Sequence, residues 1–100
     1  MTPYKLLWLD KAIISLEQIR AIIEQVSQSE NIALRIVQNI FDGVQRLTIY
    51  PRVGREINEI TGLRRFVIGH YYIFYRVFEE KKLVQIERIM DHRQDSSFLA

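Results

Sequence analysis

Three arginines, Arg64, Arg65 and Arg76, interrupt the most apolar stretch of this 100-residue sequence, which runs from Leu63 to Phe78 and is rich in β-branched and aromatic residues. Such residues suit a pleated, half-buried strand, whereas a guanidinium is costly to bury alone. Each arginine must therefore lie on an open sheet face, pair with an acid, or wait for an anion. Arginine presents a flat fork of donors matched to carboxylate and phosphate. The structural option pairs Arg76 with Glu87, and Arg88 with Asp91 or the terminal carboxylate. The functional option joins Arg64, Arg65 and Arg76 with His92 and Arg93 in an anion site. Arg76 leans towards the structural role, while Arg64, Arg65 and Arg93 suit either.

One reaction could use these side chains. Cleavage of RNA by its own 2′-hydroxyl needs a base, an acid for the leaving oxygen, and cations for the charge on phosphorus. His92 or Tyr75 would move the proton, and Arg55, Arg65 and Arg93 would hold the phosphate. The set is sufficient for that chemistry but not specific to it, and His92 also suits a surface position. Other chemistry finds no motif. His70 and His92 are far apart in sequence, and no paired-histidine metal spacing, phosphate loop, dinucleotide fingerprint or serine elbow occurs. With no cysteine there is neither a disulfide nor a thiolate metal site. No metal or cofactor is expected.

The elements that must position these residues follow from periodicity. Composition bounds the answer first: the length suits one domain over residues 1–100, and 48% hydrophobic with 26% charged residues is ordinary for a globular chain. Net charge is only +2, but ten of the fourteen cations are arginine and nine of the fourteen lie beyond residue 50. An acidic partner or nucleic acid would meet that half. No signal sequence or membrane span is apparent, which fits the cytoplasm.

Tyr4–Leu9 reads as a short strand buried on both faces, with Asp10 as a cap for the helix after it. Ile13, Leu16, Ile19, Ile23 and Val26 then recur at helical spacing from Lys11 to about Ser27, as do Ala33, Val37, Ile40, Val44 and Leu47 from about Glu30 to Leu47. Ser27 with Glu30, or Ser29 alone, caps the second helix. Tyr50-Pro51 ends it, and Gly54 sits in a turn. Arg55–Ile60 is a short edge strand. Leu63–Ile68, Tyr71–Phe78 and Leu83–Met90 are antiparallel strands, and 91–100 is a loose tail. The expected fold is α+β: an N-terminal strand, an antiparallel helical hairpin, and a three- to four-stranded antiparallel sheet packed on the helices.

A two-residue turn at Glu80-Lys81 would set Arg76 opposite Gln85 and Ile73 opposite Arg88. Tyr71, Ile73, Tyr75, Val77, Val84, Ile86, Arg88 and Met90 would then face the helices. Tyr72, Phe74, Arg76, Phe78, Leu83, Gln85, Glu87 and Ile89 would form the open face. A slip of one residue exchanges the faces, so the position of Arg88 tests this register.

Taken together, the first strand, the helical hairpin, Tyr50-Pro51 with Gly54-Arg55, Leu63-Arg64, Tyr72–Val77, Ile86–Ile89 and the ending His92–Asp95 resemble the RelE/ParE superfamily of bacterial toxins. The resemblance covers nearly the whole chain. It implies a cytoplasmic, growth-inhibiting toxin of a type II toxin–antitoxin, or plasmid-stabilisation, module whose partner is a cognate antitoxin protein. ParE-like members inhibit DNA gyrase; RelE-like members cut messenger RNA on the ribosome. The last tyrosine here is Tyr75, and only His92 can take the late position that RelE-like nucleases use, so the ParE-like branch is favoured. Target and antitoxin contacts would fall on Arg55, Arg64, Arg65, Arg76, Arg88, His92 and Arg93. In the ribonuclease alternative His92, Arg65 and Arg76 would be catalytic. A non-toxic, antitoxin-binding relic is the third possibility.

Overall fold

Two helices lie across one face of a five-stranded sheet in the computed structural model, which describes residues 2–94. The chain runs β1 (Lys5–Trp8), α1 (Asp10–Ser27), α2 (Glu30–Gln45), a 3-10 turn at Arg46–Thr48, β2 (Arg55–Asn58), β3 (Leu63–Ile68), β4 (Tyr71–Phe78) and β5 (Leu83–Asp91). The expected α+β order therefore holds. A further 3-10 turn, His92–Gln94, follows β5, so the first residues of the expected tail belong to regular structure; residues 95–100 lie outside the described part.

Short polar signals set the helix ends. Ser29 caps α2, its hydroxyl accepting from the Ile32 amide at 3.1 Å, which decides between the two candidate caps. Asp10 is the first helical residue rather than the cap; Leu9 holds the cap position with no side-chain bond. Gln28 ends α1 in the left-handed region at φ 55°.

The strand order is β1-β5-β4-β3-β2. β2, β3, β4 and β5 form an antiparallel run, and β1 joins it parallel to β5, Lys5 opposite Leu83 and Trp8 opposite Ile86. β1 is thus an edge strand, not one buried on both faces. Leu6 and Trp8 turn towards the helices, while Lys5 and Leu7 are exposed. Its apolar run reflects a single covered face together with the exposed Leu7. The core lies between helices and sheet and centres on Ala12, Ile40, Val44, Leu47, Ile73, Tyr75, Val84, Ile86 and Ile89.

The β4–β5 register explains where the arginines go. Arg76 stands opposite Gln85, as expected, and Tyr75 opposite Ile86. A bulge then intervenes: Phe74 is opposite Arg88 and Ile73 opposite Ile89, leaving Glu87 as the extra residue. A bulge moves every later side chain to the other face. Ile89 therefore enters the core and Arg88 is exposed, which corrects the placement of Arg88 on the helix-covered face and of Ile89 on the open one. The Ile89 amide, beyond the reach of β1, donates to the Ser15 hydroxyl of α1 at 3.0 Å. The turn itself is a 3-10 segment at Glu79–Lys81 with Lys82 at φ 49°, not a two-residue turn.

Glu79 ties three segments together. Its carboxylate accepts from Tyr4 before β1, pairs with Arg52 after α2, and meets Lys82 at 3.3 Å. These bonds, that of the Tyr4 hydroxyl foremost, hold its pKa down at about 2, against 4.5 ordinarily. A depressed carboxyl pKa adds stability above the unfolded value that is lost as pH falls through the folded one. Glu79→Gln should therefore melt below the wild type at neutral pH, with the gap closing between pH 4.5 and 2. Thermal melts across that range check it.

Candidate target-binding face

Four positions form one row across the uncovered face of the sheet. Arg55 is opposite Arg65, Arg65 opposite Phe74, and Phe74 opposite Arg88. Residues directly opposite in a ladder share a face, so the row sets three arginines around one aromatic ring. Arg55 and Arg88 are exposed and Arg65 is half-buried. Among the described residues none of the three has a carboxylate within 4 Å; the acids nearby are engaged elsewhere.

A second row supplies more aromatic surface. Tyr72 lies opposite Val67 and Met90. The Arg65 guanidinium rests over the Tyr72 ring at 4.4 Å, which holds the charge flat and leaves its edge donors free. Phe74 meets Tyr72 edge-on at 6.1 Å, and the His92 ring is 5.5 Å from Tyr72 on a tilted stack. His70, at the β3–β4 turn, lies 5.6 Å from His92, and its carbonyl accepts from the His92 amide. The two histidines, distant in sequence, are cross-strand neighbours. Tyr72 and Phe74 are the residues the sequence reading left out of the site. Their alternation with Arg76 on one strand was the available signal.

The other arginines of the expected site each have a partner within the chain. Arg76 shares the open face, but it pairs with Glu87 at 3.3 Å as expected, and its Nε is buried with no partner. Glu87 is only 8% exposed and also meets Lys11 at 3.4 Å. Burial pushes its carboxyl up, but the Gln85 amide, Arg76 and Lys11 outweigh that and hold it below its ordinary value. Arg64 lies on the other face, beside Tyr75 in the ladder. Its guanidinium donates to the carbonyls of Gly54 at 2.7 Å and Arg52 at 3.3 Å, so it fastens the loop before β2. Arg93 pairs with Asp91 at 2.8 Å, and that hydrogen bond lowers the pKa of Asp91.

Tyr75 is fully buried, and its hydroxyl accepts from the Gly54 amide at 2.8 Å. Burial raises its pKa, so it is in no position to move a substrate proton. Of the expected cleavage set, Arg65 and His92 gather around Tyr72, whereas Arg76 is held by Glu87 and Tyr75 is sealed in the core.

A different surface lies on the helix side. A groove of about 680 Å³ opens between the helical hairpin and the β3–β4 turn. Ile19, Ile22, Val26, Ile32 and Ile36 line it, and His70 and Arg93 stand at its rim. Among the described residues no group of three metal-binding side chains occurs, and no helix is long and apolar enough to cross a membrane.

Residues 6–96 match the family model for the ParE toxin of the type II toxin–antitoxin system, parDE. Among solved structures, the chain is similar to one from a chromosomal ParDE toxin–antitoxin system of P. aeruginosa, at 26% identity and a TM-score of 0.74, over 88% of this chain and 95% of that one. It also shares its fold with a chain of the RelBE2 toxin–antitoxin complex from Mycobacterium tuberculosis, at 24% identity and a TM-score of 0.63, over 91% and 93%. No curated protein matches the sequence.

Proposed function

The chain belongs to the ParE toxin family of type II toxin–antitoxin systems, and from that premise we propose that it arrests bacterial growth by binding DNA gyrase through the open sheet face and is neutralised by a cognate antitoxin. The observation that carries the binding role is the arginine row, Arg55, Arg65 and Arg88, displayed around Phe74 with no carboxylate of the described chain upon it. Arg65 and His92 gather around Tyr72, but Tyr75 is buried and Arg76 engaged. That favours a surface that grips over one that cleaves. An antitoxin segment would place apolar side chains in the groove beside α1 and α2 and acidic ones against Arg93 and the arginine face, ordering as it binds. The setting this implies is the cytoplasm.

Inducible expression without antitoxin, with DNA-damage response and message integrity followed in the same culture, tests this. Growth arrest with a damage response and intact messages is expected. Arg65→Ala with Arg88→Ala should weaken target binding at least tenfold, because each charge-assisted contact contributes about 1.5–3 kcal/mol. Cleaved messages without a damage response, restored by His92→Ala, would instead make it a ribosome-dependent endoribonuclease. Antitoxin binding with unaffected growth would mark a relic.

A further inference from the structure

The two edges of the sheet are unlike. β2, at one edge, carries Arg55 and Glu56 and is bulged between Glu56 and Asn58. Charge and a bulge both keep a sheet edge from pairing with another chain. β1, at the other edge, has no bulge, and its only charge is Lys5 at the start.

Hydrogen-bonding directions alternate along β1. The amides of Lys5 and Leu9 donate inward to the carbonyls of Lys82 and Ile86, at 2.8 and 3.0 Å. The amides and carbonyls of Leu6 and Trp8 therefore point away from the sheet. Among the described residues no strand lies beyond them. The edge is closed only at its start, where the Tyr4 amide is taken by the Thr48 carbonyl at 2.8 Å. Apolar side chains flank the open part on both faces. Leu7 is 44% exposed on the open face, and Trp8 stacks on the exposed Phe41 ring at 5.9 Å on the helix face.

An acidic or basic segment would find one charge to match on this edge. An identical strand matches it residue for residue. Two antiparallel two-fold registers use the outward groups, one centred on Leu6 and one on Leu7. The first needs the Tyr4 amide, which is taken; the second needs only Leu6 and Trp8. We propose that two copies of this chain pair through β1, with Leu7 opposite Leu7 of the partner subunit and Leu6 opposite Trp8 of the partner subunit. Lys5 then meets Leu9 of the partner subunit, so no like charges face each other. The short ladder makes this a weak, concentration-dependent dimer. Its two-fold axis stands across the sheet, so both helical layers lie on one side and both arginine rows on the other. The two Arg65 positions are then seven strand spacings apart, about 34 Å before twist. The pairing goes beyond gyrase binding and does not rest on it.

Analytical ultracentrifugation of the full chain alone, over a concentration series, tests the proposal, and no gyrase or antitoxin is present. A monomer–dimer equilibrium is expected. Leu7→Lys should weaken it about tenfold or more, because like charges then face each other where apolar surface met. Leu7→Glu should do the same, yet the two variants mixed should associate more tightly than either with itself. Leu7 is outside the core, and circular dichroism checks that both variants are folded. Hydrogen exchange on the wild-type chain locates the contact without any substitution. The Leu6 and Trp8 amides should gain protection as concentration rises, while the inward Lys5 and Leu9 amides stay protected throughout. Four results would overturn the proposal: a monomer at every concentration, a dimer that folded Leu7→Lys leaves unchanged, no preference of the lysine variant for the glutamate variant, or Leu6 and Trp8 amides that exchange freely in the dimer.

Discussion

Gly54→Ala is expected to lower the melting temperature by roughly 10–20 °C, from a loss of about 2–4 kcal/mol in a domain of this size. Gly54 needs no unusual backbone angle; it needs room. A Cβ there would lie 2.5 Å from the Tyr75 hydroxyl, 2.7 Å from its Cε1 and 2.9 Å from the Arg65 carbonyl. One wall is backbone in the middle of the sheet, and the other is a ring locked in the core. Tyr75→Phe alone should cost about 1–3 kcal/mol, because it leaves the buried Gly54 amide without an acceptor. The double variant tests the geometry. Removing the hydroxyl opens space for the new methyl, so the combined loss should be clearly smaller than the sum of the two. Strict additivity in denaturant titrations would show that the two residues do not obstruct each other.

Glu87→Ala is the second large effect, at about 2–3 kcal/mol. Removing one partner of a buried ion pair costs more than the pair itself contributes. Glu87 is buried, and its loss strands Arg76, whose Nε already lacks a partner. The value is set below the range for fully buried pairs because Arg76 is about one-third exposed and Lys11 mostly exposed. Glu87→Gln, which keeps shape and hydrogen bonding but loses the charge, should cost about half as much. Chemical denaturation of the three proteins at neutral pH gives the comparison. Equal losses in the two variants would show that packing at the bulge, and not charge, explains the effect.

How far the sequence carried these conclusions depended on what kind of information each needed. The two helical stripes and three long strands were legible because a single buried face imposes a period, and the element bounds agree closely. The Arg76–Glu87 pair was legible from the hairpin register near the turn. Farther along, prediction failed at one residue. A bulge leaves no periodic trace in β5, since Ile86, Glu87 and Arg88 alternate as acceptably in a regular strand as in a bulged one. The same shift hid the arginine row, which depends on three separate registers. The edge position of β1 was lost for a related reason, because a four-residue apolar strand reads alike at the edge and at the centre of a sheet. The loop-fastening bonds of Arg64 were not legible because they go to carbonyls of Arg52 and Gly54, and backbone acceptors do not show in a sequence.

The position of β1 also governs when the molecule can exist. Among the described residues, the first strand made by the ribosome completes its ladder with the last, since Lys5 waits for Leu83 and Trp8 for Ile86. The helical hairpin can form early from local contacts, but the sheet beneath it closes only once nearly the whole chain has been synthesised. Pairings this distant in sequence slow folding. An emerging chain therefore carries its helices without a finished sheet, and the arginine row, spread over β2 to β5, is assembled last. For a member of a toxin family, this ordering places a delay between synthesis and assembly of the proposed binding face.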